Sequence, residues 1–400
     1  MRTLLLLILA GIFSGVNAQT NDSLSNVYLN SADNQMLNTS RLTIGGYGEI
    51  HYNQPLNSGI RNNGSLDVHR MVLMFGYKFN DRAQFVSEIE FEHIGEVAVE
   101  QAFLQYKINN YINFRGGLLL TPMGIINEYH EPTTFNGVER PFVDKYISPT
   151  TWREVGAGFS GTYLPASLKY QVYVVNGFKS FDGSGTLNGK YGLRKGRQKG
   201  AESFMSAPNV TGKIEYFGVR GLNVGLSGYF GKTQSTLYDG VDKNDHTAIA
   251  HADSSVVGVS MVGVDARYTT GGWQLRGQYY YAGLSNTGAY NRFTAANGTP
   301  NDLGSSLMGY YAEAGYNVFR GLEKEYGELI PFARYAYLNT QNTVAAGISR
   351  NSNNEKKIIT TGLTWKITPG AVIKADMQFM KSEADNAWSK TLNTGIGIMF

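Results

Sequence analysis

From Leu42 onward, apolar and polar side chains alternate with a period of two rather than 3.6, the signature of strands whose faces meet different surroundings. In the first such stretch Leu42, Ile44, Ile50 and Tyr52 share one face, and Thr43, Tyr47, Glu49 and His51 the other. Between Ala83 and His93, Phe85, Ile89 and Phe91 oppose Gln84, Glu88, Glu90 and Glu92. Further on, Leu168, Tyr170, Val172 and Val174 oppose Lys169, Gln171 and Tyr173, and Ile373, Met377 and Phe379 oppose Lys374, Asp376 and Gln378. The pattern yields about sixteen segments of roughly 8 to 14 residues, long enough to cross an outer membrane at a tilt.

The connections between these segments fall into two classes. Long polar links run from Asn53 to Gly64, Thr121 to Trp152, Gly177 to Pro208, Gly231 to Ser254, Ser285 to Ser305 and Thr340 to Lys356. Tight turns such as Asn80-Asp81-Arg82, Asn109-Asn110-Tyr111 and Thr368-Pro369-Gly370 alternate with them. Long loops on one side and short turns on the other predict an all-β fold. The expected form is a transmembrane antiparallel β-barrel of about 16 strands over residues 42–400, with extracellular loops and periplasmic turns. A secreted β-sandwich also alternates, but its strands are shorter. It would not place aromatics at strand ends as Tyr77, Phe79, Tyr106, Tyr163, Tyr216, Tyr268 and Trp365 are placed here. On this reading the face bearing Leu42, Ile44 and Ile50 meets outer-membrane lipid.

Composition sharpens the picture. Glycine is 48 of 400 residues and tyrosine 26, while charged residues are only 17%, against about 25% in an average soluble domain. No apolar run reaches the length of a membrane helix. Cysteine is absent, which removes disulfides and cysteine-ligated metal centres. A net charge of +3 is too balanced for a nucleic-acid partner. Residues 1–18 carry Arg2, the apolar run Leu4 to Phe13 and the small-x-small sequence Val16-Asn17-Ala18, the pattern of an export signal cleaved before Gln19. Residues 19–41 are rich in Asn and Ser and poor in apolar groups, and are expected to form a flexible lead-in.

The stretch Val68-His69-Arg70-Met71-Val72-Leu73-Met74-Phe75-Gly76-Tyr77-Lys78-Phe79 resembles the first half of the phosphate-selective porin O and P family, in its Bacteroidota form. So do Val99-Glu100-Gln101-Ala102-Phe103-Leu104-Gln105-Tyr106 and Phe114-Arg115-Gly116-Gly117-Leu118-Leu119-Leu120-Thr121-Pro122-Met123-Gly124. The resemblance is good over about residues 66–177. It implies a sixteen-stranded homotrimeric channel whose third loop folds inward as a constriction. The chain departs from the family where selectivity would reside, because no ladder of arginines or cluster of lysines aligns.

Catalytic patterns are absent. Gly231-Lys232-Thr233 lacks the correctly spaced first glycine of a phosphate loop, His130-Glu131 lacks the second histidine of a zinc protease, and there is no G-x-S-x-G. No enzyme, cofactor or metal is expected. Parity places Arg70, Lys78, Lys107 and Arg115 in the lumen with Glu88, Glu90 and Glu92, the last three at a spacing of two on one strand face. Arg70, Lys78 and Lys107 are the expected counter-charges to these carboxylates. Arg140 and Lys145 lie within the third loop and, with Arg115, are expected to form a basic rim opposite Glu88 and Glu90. The loop from Gly177 to Pro208 is basic and is expected to be solvated. These residues predict a porin for small hydrophilic solutes or ions, with anions or phosphate among the candidates, selecting by loop aperture and lumen charge. The alternative is a non-conducting barrel that acts as an adhesin or as part of an uptake complex.

Overall fold

The computed structural model describes residues 28–56 and 59–400. Sixteen strands form a closed antiparallel barrel. The first eight are β1 (Leu42–Pro55), β2 (Ser65–Lys78), β3 (Ala83–Glu92), β4 (Glu96–Lys107), β5 (Asn113–Leu120), β6 (Arg153–Tyr163), β7 (Leu168–Val175) and β8 (Asn209–Val219). The second eight are β9 (Leu222–Lys232), β10 (Gly258–Thr270), β11 (Trp273–Ser285), β12 (Ser306–Tyr316), β13 (Glu328–Thr343), β14 (Glu355–Thr368), β15 (Ala371–Ser382) and β16 (Ser389–Met399). Each pairs with its sequence neighbours, and β1 closes the ring on β16 with Tyr47 opposite Met399 and Pro55 opposite Thr391. A closed ring satisfies every backbone group without an edge, which is what lets strands stand in lipid.

The two classes of connection separate to the two ends as the sequence predicts, with two exceptions. The extracellular β3–β4 link is only His93-Ile94-Gly95, and both His93 (φ 50°) and Ile94 (φ 64°) are left-handed. On the opposite end, residues 317–327 make a longer periplasmic connection. Among the register shifts that break the strict alternation, two β-bulges bear on the lumen near the third loop. Glu49 pairs with Arg70 but Ile50 with Val68, so His69 is the extra residue on β2; Glu88 pairs with Gln101 but Ile89 with Val99, so Glu100 is the extra residue on β4. Each bulge turns one more side chain inward.

The lead-in expected to be flexible contains a helix, α1 (Ser31–Leu37), packed inside the barrel at its short-turn end. Asn30 caps it by accepting from the Asp33 amide at 2.8 Å. The polar composition that argued for flexibility is what a polar lumen accepts. The predicted export signal, residues 1–18, lies outside the described residues.

Outward side chains are apolar and exposed, among them Leu226 (59%) at the centre of β9 and Ile44 (60%) near the short-turn end of β1. An arginine on the lipid face costs about 2 to 4 kcal/mol at the midplane and about 0 to 1 near an interface. Leu226→Arg is therefore expected to destabilise the barrel severalfold more than Ile44→Arg in urea titrations of liposome-folded protein. Equal costs would show that this face does not stand in lipid.

Much of the extracellular half of the barrel is filled. Val259, Met261, Tyr280, Ala282, Leu284, Leu307 and Leu338 point inward and are buried against Met123, Val143, Ile147 and Trp152 of the third loop and Phe178, Leu187 and Leu193 of the fourth. Trp152 stacks on Phe178 with ring centroids 4.5 Å apart and lies 4.7 Å from the Tyr229 ring.

Candidate functional site

The third loop, residues 121–152, drops from the end of β5 into the barrel and divides the lumen. Its first turn depends on Gly124, at φ 67°, where an added Cβ would fall 1.6 Å from the Tyr280 hydroxyl; only glycine fits this approach. From there the wall grips the loop by its backbone. Lys213 donates to the Gly124 carbonyl at 2.7 Å, Arg70 to that of His130 at 2.5 Å and Arg276 to that of Thr134 at 3.0 Å. Arg334 reaches two carbonyls, Asn136 at 2.5 Å and Glu139 at 3.2 Å. The amides are held as well: Ile125 donates to Gln278 and Val138 to Asp376. Lys374 lies 3.7 Å from the centre of the Phe135 ring, a cation–π contact.

At the middle of the lumen these contacts converge on Arg70, which is 1% exposed. Its Nε lies 2.5 Å from Glu49, its Nη1 lies 3.9 Å from Glu90 and 4.0 Å from Glu100, and its guanidinium carbon lies 4.9 Å from the Tyr47 ring centre. Glu100 receives the Tyr47 hydroxyl at 2.9 Å and faces His130 Nε2 at 3.3 Å. Burial pulls the His130 imidazole down, but the Glu100 carboxylate outweighs it and holds the pKa above its ordinary value. Glu88 accepts from the Ser31 hydroxyl of α1 at 2.6 Å, while Glu131 of the loop accepts from the Ser31 amide at 3.2 Å. The helix, the third loop and the wall are thus joined in one dry cluster. Charged groups this deeply buried persist only when paired.

The lower face of the plug is fixed by Asp33 of α1, which bridges Lys169 at 2.7 Å and Arg115 at 3.0 Å. Burial pushes its carboxyl up, yet the two cations outweigh this and hold it down to about 2. Tyr28 and Tyr129 both pack on the Arg267 guanidinium, at 4.0 and 4.1 Å.

Asp144, in the short helix α2 (Val143–Tyr146) of the third loop, is held by Gln278 at 2.5 Å and Tyr280 at 3.3 Å. Burial pushes its carboxyl up from 3.8 to about 7 against the pull of those hydrogen bonds. Below pH 3.8 the acid is protonated whether the loop is docked or released, so there is no penalty. Between there and about 7 only the released loop ionises, so docking weakens as pH rises. Asp144→Asn removes this dependence. Protease protection of residues 121–152 is expected to fall from pH 4 to 7 in the parent and to fall distinctly less in the variant; parallel profiles would show that Asp144 is not the group responsible.

Above the plug an extracellular vestibule of about 560 Å³ remains. It is lined by Arg70, Arg140, Lys145, Arg153, Arg194, Arg197 and Lys199 against Glu49, Glu90, Glu92, Glu96 and Glu139. The basic fourth loop, expected to be solvated, supplies three of these cations because it folds inward over the third: Arg194 donates to the Lys145 and Thr150 carbonyls at 3.2 Å, and Arg197 to that of Thr150 at 2.5 Å. A smaller cavity of about 340 Å³ opens below, lined by Asp33, Lys107 and Arg115 among others.

The predicted site residues divide between these places. Arg70, Glu90, Glu92, Arg140 and Lys145 line the vestibule, and Glu88 lies in the dry cluster beneath it. Arg140 lies 3.7 Å from Glu49. Arg115 and Lys107 belong to the lower cavity, so Arg115 does not form a rim with Arg140 and Lys145. Of the three expected counter-charges to the β3 carboxylates, only Arg70 serves. Antiparallel pairing sets Arg70 opposite Glu92 but carries Lys78 to Gln84, at the short-turn end, where its ammonium donates to the Asn38 carbonyl. Sequence reasoning missed Glu100, because the bulge reverses the parity counted from the end of β4, and missed His130 and Asp33 as buried partners. Among the described residues two groups of donors could hold a metal ion: Glu88, Glu100 and His130 in the dry cluster, and Asp67, His69 and His93 at the extracellular rim.

A chain of Aquifex aeolicus (strain VF5), described as an uncharacterized protein, is 33% identical over 361 residues, covering 86% of this chain and 77% of its own length. Among solved structures, OmpF of Salmonella typhi in complex with daunomycin superposes with a TM-score of 0.57 at 14% identity, over 90% of this chain and 97% of that one. The anion-selective porin of Comamonas acidovorans gives 0.56 at 12%, over 90% and 99%. The trimer form of in-vitro folded OmpT of Vibrio cholerae gives 0.51 at 12%, over 90% and 100%. At such identities the likeness is one of fold. The profile of the phosphate-selective porin O and P family matches residues 45–393, and the chain belongs to that family: it is an outer-membrane porin, a channel rather than an enzyme.

Proposed function

We propose that this porin is a passive, anion-preferring diffusion channel for small hydrophilic solutes, phosphate-like anions among them. Solutes gather in the vestibule and pass the edge of the docked third loop. The observation that carries the reading is the vestibule lining, seven cations against five carboxylates, drawn from wall and loops together in a space about as wide as the Debye length of ~8 Å at physiological salt. At that scale mobile ions do not screen the fixed charges from one another, so their fields sum and the excess of cations, three of them from the fourth loop, sets the local sign. Trimeric assembly is supported by the family resemblance and by the trimer form recorded for the Vibrio cholerae OmpT. Export by residues 1–18 is supported by the sequence pattern alone.

Purified protein in a planar bilayer under a salt gradient is expected to conduct, with a reversal potential favouring anions. Absence of conductance would instead favour a binding barrel, the adhesin or uptake-complex alternative. Amino-terminal sequencing of the protein from the outer-membrane fraction is expected to begin at Gln19; a product that begins at Met1 would overturn the export reading.

A further inference from the structure

We propose that Asp67, His69 and His93 form a binding site for a divalent transition-metal ion of the zinc class at the extracellular rim of the vestibule. Two separate features of the fold bring these side chains together. Asp67 and His69 lie on β2, where a regular strand would send residues 68 and 70 to one face and 67 and 69 to the other. The bulge at His69 cancels that alternation, so Asp67, His69 and Arg70 all turn inward. His93 comes from the β3–β4 turn, whose left-handed residues fold it back over the end of β2. The turn is fixed in place by the His93 amide, which donates to the His69 carbonyl at 3.2 Å.

The donors already stand at near-ligand separations. Asp67 Oδ2 lies 2.7 Å from His93 Nδ1 and 3.3 Å from His69 Nδ1, and all three ligand atoms fall within 4.8 Å of one another. A tetrahedral zinc ion with bonds of about 2.0 to 2.1 Å sets its donors about 3.3 Å apart, so the ion would enter by replacing the imidazole hydrogen bonds to Asp67 with only a slight opening. Two imidazoles and one carboxylate suit zinc, nickel or copper and disfavour calcium or magnesium, which take oxygen ligands. With three protein ligands, one position stays open to water or to a passing anion. The site is reachable, since the His93 side chain is 50% exposed. His51 supports it without binding: its ring stacks on His69 at 4.6 Å and 14°, while its own nitrogens face Glu49 at 3.3 Å and Glu139 of the third loop at 3.4 Å.

Untagged full-length protein in detergent, titrated calorimetrically with zinc chloride, is expected to bind one ion per chain, with no competition from equimolar calcium. His93→Gln changes an exposed turn, and His69→Gln a rim position. Each is expected to lower zinc affinity at least about tenfold while the far-ultraviolet circular dichroism stays that of a barrel. His51→Gln is expected to keep one-to-one binding. In the bilayer, zinc added to the extracellular side is expected to move the reversal potential further toward anions in the parent and not in His93→Gln. No saturable binding by the parent, or unchanged affinity in the His69/His93 double variant with the barrel intact, would overturn the proposal.

Discussion

Arg70→Ala is expected to release the third loop and raise single-channel conductance, with noisy transitions between levels. The guanidinium is buried and simultaneously neutralises Glu49, faces Glu90 and Glu100, and holds the His130 carbonyl. Removing one partner of a buried ion pair costs about 3 to 5 kcal/mol because the remaining charges are left without compensation. At 1.4 kcal/mol per decade, that moves the ratio of docked to released loop by roughly two to three orders of magnitude. The barrel should survive, since its ladder closes through β1 and β16 without using this side chain. Protease cleavage within residues 121–152, faster than in the parent at the same pH, should accompany the conductance change. If both conductance and protection are unchanged, the cluster around Arg70 is not what holds the loop.

Replacing Arg194, Arg197 and Lys199 together by Gln is expected to reverse the sign of ion selectivity. These three stand among seven vestibule cations that face five carboxylates, so their loss leaves the carboxylates in the majority. A cleft lined by one sign concentrates counter-ions because its low-dielectric walls focus the field. The reversal potential in a salt gradient should move from anion- to cation-preferring. Arg115→Gln, on the lower side of the plug and committed to Asp33, should move it far less. A triple variant that keeps its anion preference would place the selecting charges elsewhere.

The barrel was legible in the sequence because lipid and lumen impose opposite demands on alternate residues, and strand length is set by the membrane. Chain order and turn lengths then fix the topology. The site was less legible, for three physical reasons. A bulge is one extra residue with no compositional mark, so counting by twos misplaces Glu100 and hides the shared facing of His69 and Arg70. The interior was expected to be water, whereas Val259, Met261 and Leu284 face inward against loop side chains. That signal was present, since β10 reads apolar on both faces through Val259, Met261, Val262 and Val264. Finally, the low apolar content of the lead-in argues against a free-standing structure and says nothing about docking, and Asp33 finds its order only in Lys169 and Arg115, more than eighty residues away.

Much of the wall's polar grip on the third loop falls on its main chain, with Lys213, Arg70, Arg276 and Arg334 on carbonyls and Gln278 and Asp376 on amides. Every amino acid carries the same carbonyl, and all but proline the same amide. Away from Gly124, the dry-cluster residues, Phe135, Asp144 and the buried Met123, Val143, Ile147 and Trp152, the docking is therefore largely indifferent to which side chains the loop bears. Positions such as Arg140 and Lys145 can change identity without undoing the plug. A barrel of this kind can acquire a new solute preference through single substitutions at its narrowest part, with the frame that sets the aperture left in place.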